Sequence, residues 1–562
     1  MIRVIFIYFL LIQIILSETT IRGKVVEADS SMVVTRHFLA TEVGNNVLRN
    51  GGNAVDASVA ISFALAVVLP QAGNIGGGGF MVIHQNNGQS TSIDYREQAP
   101  LKSTEKMFIT DDKYNQELAL ESYLSSGTPG TVAGLYLAHK KYGSVDWSLL
   151  IQPAIDLAEN GFLITETLEH ALENNINKLK KFAATKDIFF KHGMTLRAGD
   201  RLIQTDLANT LKLIAKNGMD GFYRGEVARF IEKAMLANDG LITQQDLLSY
   251  EAKERDPIIF DYKELEIVTM PPASSGGLML ALMLNIIENI DLDLESQSPQ
   301  NILKISEVMQ IAYSLRSVYL GDSDFYQVPF QEFLSKDKAK KLLQNINFQS
   351  SSTKESLAPE NFKFKENTTH YSVIDQFGNA VSNTTTLNTA FGSGVVIDGT
   401  GILMNNEMDD FSSSPGVENY FQLLGNEANK IEPLKRPLSS MTPTIVLKDR
   451  EPYIITGAQG GSRIITAVLH IILNYYDFKM SASESVSANR YHHQWNPNVL
   501  MYEYMDLSLQ NELERLGFRL YRRPANYDYS NGITSSIMIE ENKIIGVSDP
   551  RSKDYLAIGI SK

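Results

Sequence analysis

Thr368-Thr369-His370-Tyr371-Ser372-Val373-Ile374-Asp375, then Gln376-Phe377-Gly378-Asn379, then Ala380-Val381-Ser382-Asn383-Thr384-Thr385-Thr386-Leu387: two runs rich in β-branched and aromatic residues flank a glycine-bearing turn. This pattern reads as an antiparallel hairpin, with strands over 370–375 and 380–387. Pairing Asp375 with Ala380 sets Thr368 beside Leu387, within one residue of Thr386 and Asn388. A slip of one residue would exchange the faces. Upstream, 349–367 (QSSSTKESLAPENFKFKEN) is polar, serine-rich and without period, as a surface linker is. It ends at Thr368, where a cleavable junction should lie. A mid-chain threonine is a poor nucleophile, but one exposed as a new N-terminus carries its own base. A free α-amine titrates near about 7.7–8.0, so part of it is neutral at physiological pH and accepts the hydroxyl proton. On these residues alone Thr368 reads equally as an ordinary strand threonine; a precursor cut before it, with acyl transfer from that residue, is the expectation that the blocks farther along the chain decide.

The rest of the chain suits a large globular enzyme. Of 562 residues, 43% are apolar and 21% charged, ample for a sizeable core. A formal charge of −14 with no basic stripe excludes a nucleic-acid backbone as partner. The chain has no cysteine, which removes disulfides, thiolate catalysis and cysteine zinc sites together. At the N-terminus, Met1-Ile2-Arg3 precedes an uncharged run from Val4 to Leu16, then Ser17-Glu18. That run has the length of a signal-peptide core and is short for a membrane span, so export with cleavage after Ser17 is expected, an uncleaved anchor being the alternative.

Residues 53–69 are apolar nearly all round, start at polar residues and stop at Pro70, as a buried helix does. Gly76 to Gly79 lead into a strand with no Lys-Ser/Thr pair following, which favours close backbone packing over a phosphate cradle. Residues 306–320 carry apolar side chains at Val308, Ile311, Ala312, Leu315, Val318 and Tyr319, and Gly321 follows, predicting an amphipathic helix.

From 368 to 388 the chain resembles the γ-glutamyltransferase (γ-glutamyltranspeptidase) family of N-terminal-nucleophile hydrolases. The likeness extends over DYREQAP at 94–100, SGTPGTVAG at 126–134, PPASSGG at 271–277, NTTTLNTAFGSG at 383–394, LMNNEMDDFS at 403–412, KRPLSSMTPT at 435–444, GGSRIIT at 460–466 and SDPRS at 548–552. It implies a four-layer αββα sandwich of two stacked sheets flanked by helices. It also implies self-cleavage between Asn367 and Thr368 into a large subunit (18–367, after a signal peptide at 1–17) and a small one (368–562) that stay together as a heterodimer. In that resemblance Thr368 is the nucleophile and Thr386 orients it. The backbone amides of Gly460 and Gly461 form the oxyanion hole. Arg96, Ser439 and Ser440 hold the substrate's α-carboxylate, while Asn388, Glu407 and Asp410 hold its α-ammonium. Some bacterial members have glutamine at the position of Glu407. Residues 414–430 match a lid loop, where Phe421, with Tyr420 beside it, occupies the position of a gating tyrosine. The implied activity is release of the γ-glutamyl group from glutathione and related donors to water, amino acids or peptides, with no cofactor or metal.

Two rivals remain at this level: a related acylase of the glutaryl-cephalosporin type, and an exported binding protein on a dead fold. Other signals carry little. Adjacent His492 and His493 on a strand point to opposite faces and do not suit a metal. Ser351-x-x-Lys354 lacks the partner motifs of a penicillin-binding nucleophile. Asn367 and Asn383 are glycosylation sequons by pattern alone.

Overall fold

The structure, a computed structural model, describes residues 23–351, 368–413, 416–526, 530–541 and 543–561. The expected export segment and the linker beyond Ser351, Asn367 included, lie outside these residues.

Two antiparallel sheets stack face to face. One runs, in spatial order, Lys253–Arg255, Ser90–Asp94, Gly78–His84, Ala380–Thr386, Thr368–Ile374, Ser31–Thr35 and Leu556–Ile560. The other runs Lys24–Ala28, Lys543–Ser548, Ile533–Glu540, Glu451–Thr456, Thr444–Lys448, Leu265–Thr269 and Ile258–Tyr262, with the short Ala458–Gln459 strand also on Ile533–Glu540. Alternate residues feed different cores, as the period of two requires. Ile445 and Leu447 pack between the sheets, whereas Val446 faces the helices outside. Ala380 lies between the sheets and Val381 outside. Three apolar clusters thus fill the three spaces of an αββα sandwich. The helical layer on the first sheet includes Ala54–Val68 and Thr131–Tyr142; that on the second includes Gly276–Ile287, Pro299–Tyr319 and Ile464–Ile472.

The 53–69 expectation holds: Ala54–Val68 is buried along its whole length, and Asn53 with Asp56 forms a capping box. The glycine run packs backbone on backbone, as expected. A Cβ on Gly77 would overlap the Thr386 carbonyl, and one on Gly79 the Thr384 carbonyl. The helix predicted over 306–320 begins earlier, at Pro299 behind a Ser298 cap, and its face differs from the apolar count. Val318 and Tyr319 are exposed, at 50% and 37%, while Arg316 is buried.

The hairpin forms, one residue out of the expected register. Ile374, not Asp375, pairs with Ala380, so Thr368 lies opposite Thr386 rather than Leu387. The loop is Gln376-Phe377-Gly378. The Asp375 amide donates to the Asn379 carbonyl at 3.0 Å, and Gly378 turns the chain at φ +90°. Asp375 sets this odd-length turn. Its carboxylate accepts from the amides of Phe377 and Asn379, both at 2.9 Å, and from that of Ala54 at 2.8 Å, tying the turn to the start of the buried helix. The correction matters, because opposed residues share a face and the expected register would have put Thr368 and Thr386 on opposite faces. Asp375→Ala is expected to cost roughly 2–3 kcal/mol, since it strands the Ala54 donor and frees the turn. The check is a lowered thermal unfolding midpoint against wild type.

Between the sheets lies a ladder of short polar residues under the hairpin. Ser372 Oγ donates to the Ser535 carbonyl at 2.8 Å, Ser382 Oγ to the Thr456 carbonyl at 2.8 Å, and His370 Nδ1 pairs with Thr384 Oγ1 at 2.8 Å. Burial lowers the His370 pKa to about 3, so the ring stays neutral and serves as a spacer. Thr368 and Thr386 occupy the last step of this ladder, facing the second sheet's Gly460–Gly461 turn.

Candidate active site

Thr368 Oγ1 lies 3.2 Å from Thr386 Oγ1. Thr386 Oγ1 also accepts the Asn388 amide at 2.9 Å, which fixes its rotamer beneath Thr368. Asn388 adopts φ +76° and donates its side-chain amide to the Asn406 carbonyl at 3.0 Å. The Thr368 carbonyl is anchored by the buried Arg36 guanidinium at 2.8 Å, a contact across 332 residues. Thr368 itself is 5% exposed and lines a narrow cleft.

The structure gathers the predicted residues around this cleft. Arg96, Thr368, Thr386, Asn388, Glu407, Asp410, Ser439, Ser440 and Gly461 all line it. Gly460, the residue before Gly461, is not among the lining residues; it adopts φ +143° and Gly461 +55°. Among the described residues neither glycine amide donates to a protein acceptor. Gly460 caps and Gly461 opens a 3₁₀ turn, Gly461–Arg463, that runs into the Ile464–Ile472 helix. A helix N-terminus with open amides suits a developing oxyanion. Asn367 lies outside the described residues.

Opposite charges meet on one wall. Arg96 Nη1 contacts Glu407 at 2.8 Å, Nη2 contacts Asp410 at 2.5 Å, and Nε donates to the Pro437 carbonyl at 3.1 Å. Arg96 and Glu407 are almost wholly buried. Burial disfavours the Arg96 charge, but Glu407, then Glu97 and Asp410, more than offset it, and its pKa moves up. Burial also lifts the Glu407 carboxyl well above the carboxylate range, against the pull of Arg96. In this arrangement, then, the implied grips for the two ends of a zwitterion hold each other.

Neighbouring blocks supply the scaffold. Asn405 takes the Gly127 amide at 2.8 Å and donates to the Gly76 and Gly127 carbonyls, so SGTPG and the glycine run set the height of Glu407. The Ser439 carbonyl accepts from the amide and hydroxyl of Ser275, at 2.8 and 2.7 Å, so PPASSGG holds the serine pair. The lid enters through Asp409, which accepts from the Tyr114 hydroxyl and the Tyr420 amide, and through Asn419, whose Nδ2 donates to Asp410 at 3.2 Å. Phe421 lines the cleft and lies against Gly461, where an added Cβ would come within 2.5 Å of its ring. Its contact with the glycine turn is therefore one of packing.

Sequence reading missed Arg36, Arg316 and Asn419. Arg316 and Asn419 lie within reach of motifs, but their role depends on pairing across the fold. His492 and His493 are core residues. His492 bonds Thr466 and Gln494, and His493 accepts the Trp495 amide. Asn383 is buried with its carbonyl on the Tyr95 hydroxyl, which excludes it as a sugar acceptor.

Comparison with known proteins agrees with this geometry. The family model described as Gamma-glutamyltranspeptidase matches residues 40–559. A glutathione hydrolase proenzyme of Escherichia coli K12 is 45% identical over 542 residues, covering 95% of this chain and 92% of its own. One from Pseudomonas sp. strain A14 is 43% identical over 545 residues, covering 95% of each. Among solved structures, a cephalosporin acylase from Bacillus halodurans superposes with a TM-score of 0.84 at 25% identity, over 96% of this chain and 98% of that one. Helicobacter pylori γ-glutamyltranspeptidase matches at 46% identity with a TM-score of 0.56, over 56% of this chain and 91% of that one. With the hydroxyl pair, the open glycine amides and the charged wall in one cleft, and a match spanning nearly its whole length, the chain belongs to the gamma-glutamyltranspeptidase family of enzymes.

Proposed function

We propose that this chain is a self-cutting precursor of a γ-glutamyltransferase and glutathione hydrolase, with Thr368 as nucleophile in both reactions. The observation that carries the reading is the 3.2 Å approach of the Thr368 and Thr386 hydroxyls on the cleft that also presents Arg96, Glu407 and Asp410. In maturation, Thr368 Oγ attacks the Asn367 carbonyl and the acyl group moves from nitrogen to oxygen. Water then hydrolyses the ester, releasing the Asn367 carboxylate and restoring the hydroxyl on a free Thr368 amine. The products are residues 18–367 and 368–562, retained together by strands from both pieces in each sheet.

In turnover, the Thr368 amine takes the hydroxyl proton while Oγ attacks the γ-amide carbonyl. The oxyanion is received by the Gly460 and Gly461 amides, worth about 10²–10³ in rate for such a donor. The amine leaves with the proton, and the γ-glutamyl ester passes to water or to the amino group of an amino acid or peptide. Arg96, Ser439 and Ser440 take the substrate's α-carboxylate; Asn388, Glu407 and Asp410 take its ammonium. The charged start and the apolar run from Val4 to Leu16 support export to a periplasmic or extracellular space, with removal after Ser17.

Mass spectrometry of the purified protein's N-termini, with turnover of γ-glutamyl-p-nitroanilide against glutaryl-p-nitroanilide, tests this. Two chains, one starting at Thr368, and a strong preference for the γ-glutamyl anilide are expected. A fully active uncut polypeptide, or a preference for the glutaryl compound, would overturn it.

A further inference from the structure

The apolar pattern of the Pro299–Tyr319 helix conceals a second buried guanidinium. Arg316 is 5% exposed and lines the Thr368 cleft as well as an adjoining one that Asn419 and Leu423 also line. One turn back, the Tyr313 hydroxyl donates to the Ser462 carbonyl, so this helix face abuts the glycine turn. Arg316 Nε donates to Ser275 Oγ at 3.0 Å, and Ser275 Oγ donates in turn to the Ser439 carbonyl at 2.7 Å. The guanidinium is thereby held beside the serine pair.

Its remaining donors are open. Among the described residues no carboxylate lies within ion-pair distance of Arg316, and its two Nη groups have no protein acceptor. Arg96 is the opposite case, with Glu407, Asp410 and the Pro437 carbonyl already on its fork. Burial lowers the Arg316 pKa only to about 10, which leaves it charged at neutral pH. A buried cation without a counter-ion is costly unless something supplies the anion.

We propose that Arg316 is a second contact for the α-carboxylate of the γ-glutamyl substrate, completing with Arg96 a pair of guanidinium groups around it. This rests on the function proposed above. When the substrate enters, its ammonium takes Glu407 and Asp410 away from Arg96. Its carboxylate then sits between the freed Arg96 fork, the Ser439–Ser440 hydroxyls and the Nη groups of Arg316. A fork with open Nη donors gives the carboxylate a landing point before the Arg96 pairs break.

The test compares wild type with Arg316→Gln and Arg316→Lys on three anilides: γ-glutamyl, glutaryl (no ammonium) and 4-aminobutanoyl (no carboxylate). For Arg316→Gln, KM for the γ-glutamyl and glutaryl anilides is expected to rise about 10- to 100-fold with kcat within about threefold. The competitive Ki of L-glutamate should rise by the same factor, whereas kcat/KM for the 4-aminobutanoyl anilide should change little. Arg316→Lys keeps the charge and guards against misfolding; it should process normally and show a smaller rise of the same selectivity. An equal loss on all three anilides, or an unchanged KM and Ki, would overturn the proposal, as would an effect confined to the KM of a carboxylate-bearing acceptor such as glycylglycine. If wild type itself turns over no γ-glutamyl anilide, the parent function fails; if wild type is active and Arg316→Gln matches it, only this inference fails.

Discussion

Thr368→Ala should accumulate as a single full-length polypeptide with turnover reduced at least about 10⁴-fold. In the proposed function one hydroxyl does two jobs, so one substitution removes both. Without Oγ there is no acyl shift at the Asn367 carbonyl, and therefore no free amine to act as base. The fold should survive the change. The Thr368 carbonyl remains on Arg36, and the backbone pairing of Thr368 with Thr386 needs no side chain. Only one hydroxyl approach, of 3.2 Å, disappears with the side chain, so the stability change should stay near 1 kcal/mol. Thr368→Ser keeps the oxygen but loses the methyl that restricts χ1, and should process slowly and turn over partially. Intact-mass measurement and γ-glutamyl-p-nitroanilide kinetics read both effects. A Thr368→Ala protein that still splits ahead of residue 368 would require a second nucleophile and end the account.

The same hairpin shows how far sequence reaches. Its two strands, its turn and the nearness of Thr386 follow from alternation and a glycine, all local signals. Its register does not, because loop parity depends on Asp375, whose carboxylate is recruited by Ala54 from 321 residues away. Helix 299–319 repeats the lesson. Apolar spacing found the helix, but Val318 and Tyr319 lie outside the core while Arg316 lies within it, because the cleft wall lets a charge face inward there. Family resemblance named Arg96, Glu407 and Asp410 as separate grips. That they clasp one another is a tertiary fact spanning 314 residues, invisible to any local pattern.

That clasp makes Arg96→Ala the second large effect. The substitution removes the proposed α-carboxylate contact and also leaves Glu407 and Asp410 facing each other without their shared cation. Breaking a buried pair from one side costs about 3–5 kcal/mol, chiefly the penalty for the charge left behind. Glu407 escapes part of it by protonating, since Arg96 is what opposes the burial-driven rise of its pKa. A carboxyl whose folded pKa is raised loses stability as pH increases through its unfolded value of about 4.3 toward the folded one. Against wild type the unfolded state cancels, so the deficit in unfolding midpoint of Arg96→Ala should widen as pH rises through the raised folded pKa of Glu407. Catalytically, kcat/KM for γ-glutamyl donors should fall about 10³-fold, mostly through KM, because the contact is to an end of the substrate that does not react. Arg96→Lys should recover little, since a single ammonium cannot span Glu407, Asp410 and the Pro437 carbonyl together. A variant with unchanged KM would remove Arg96 from the substrate contact. A deficit that stayed constant with pH would mean that Glu407 does not depend on Arg96 for its charge.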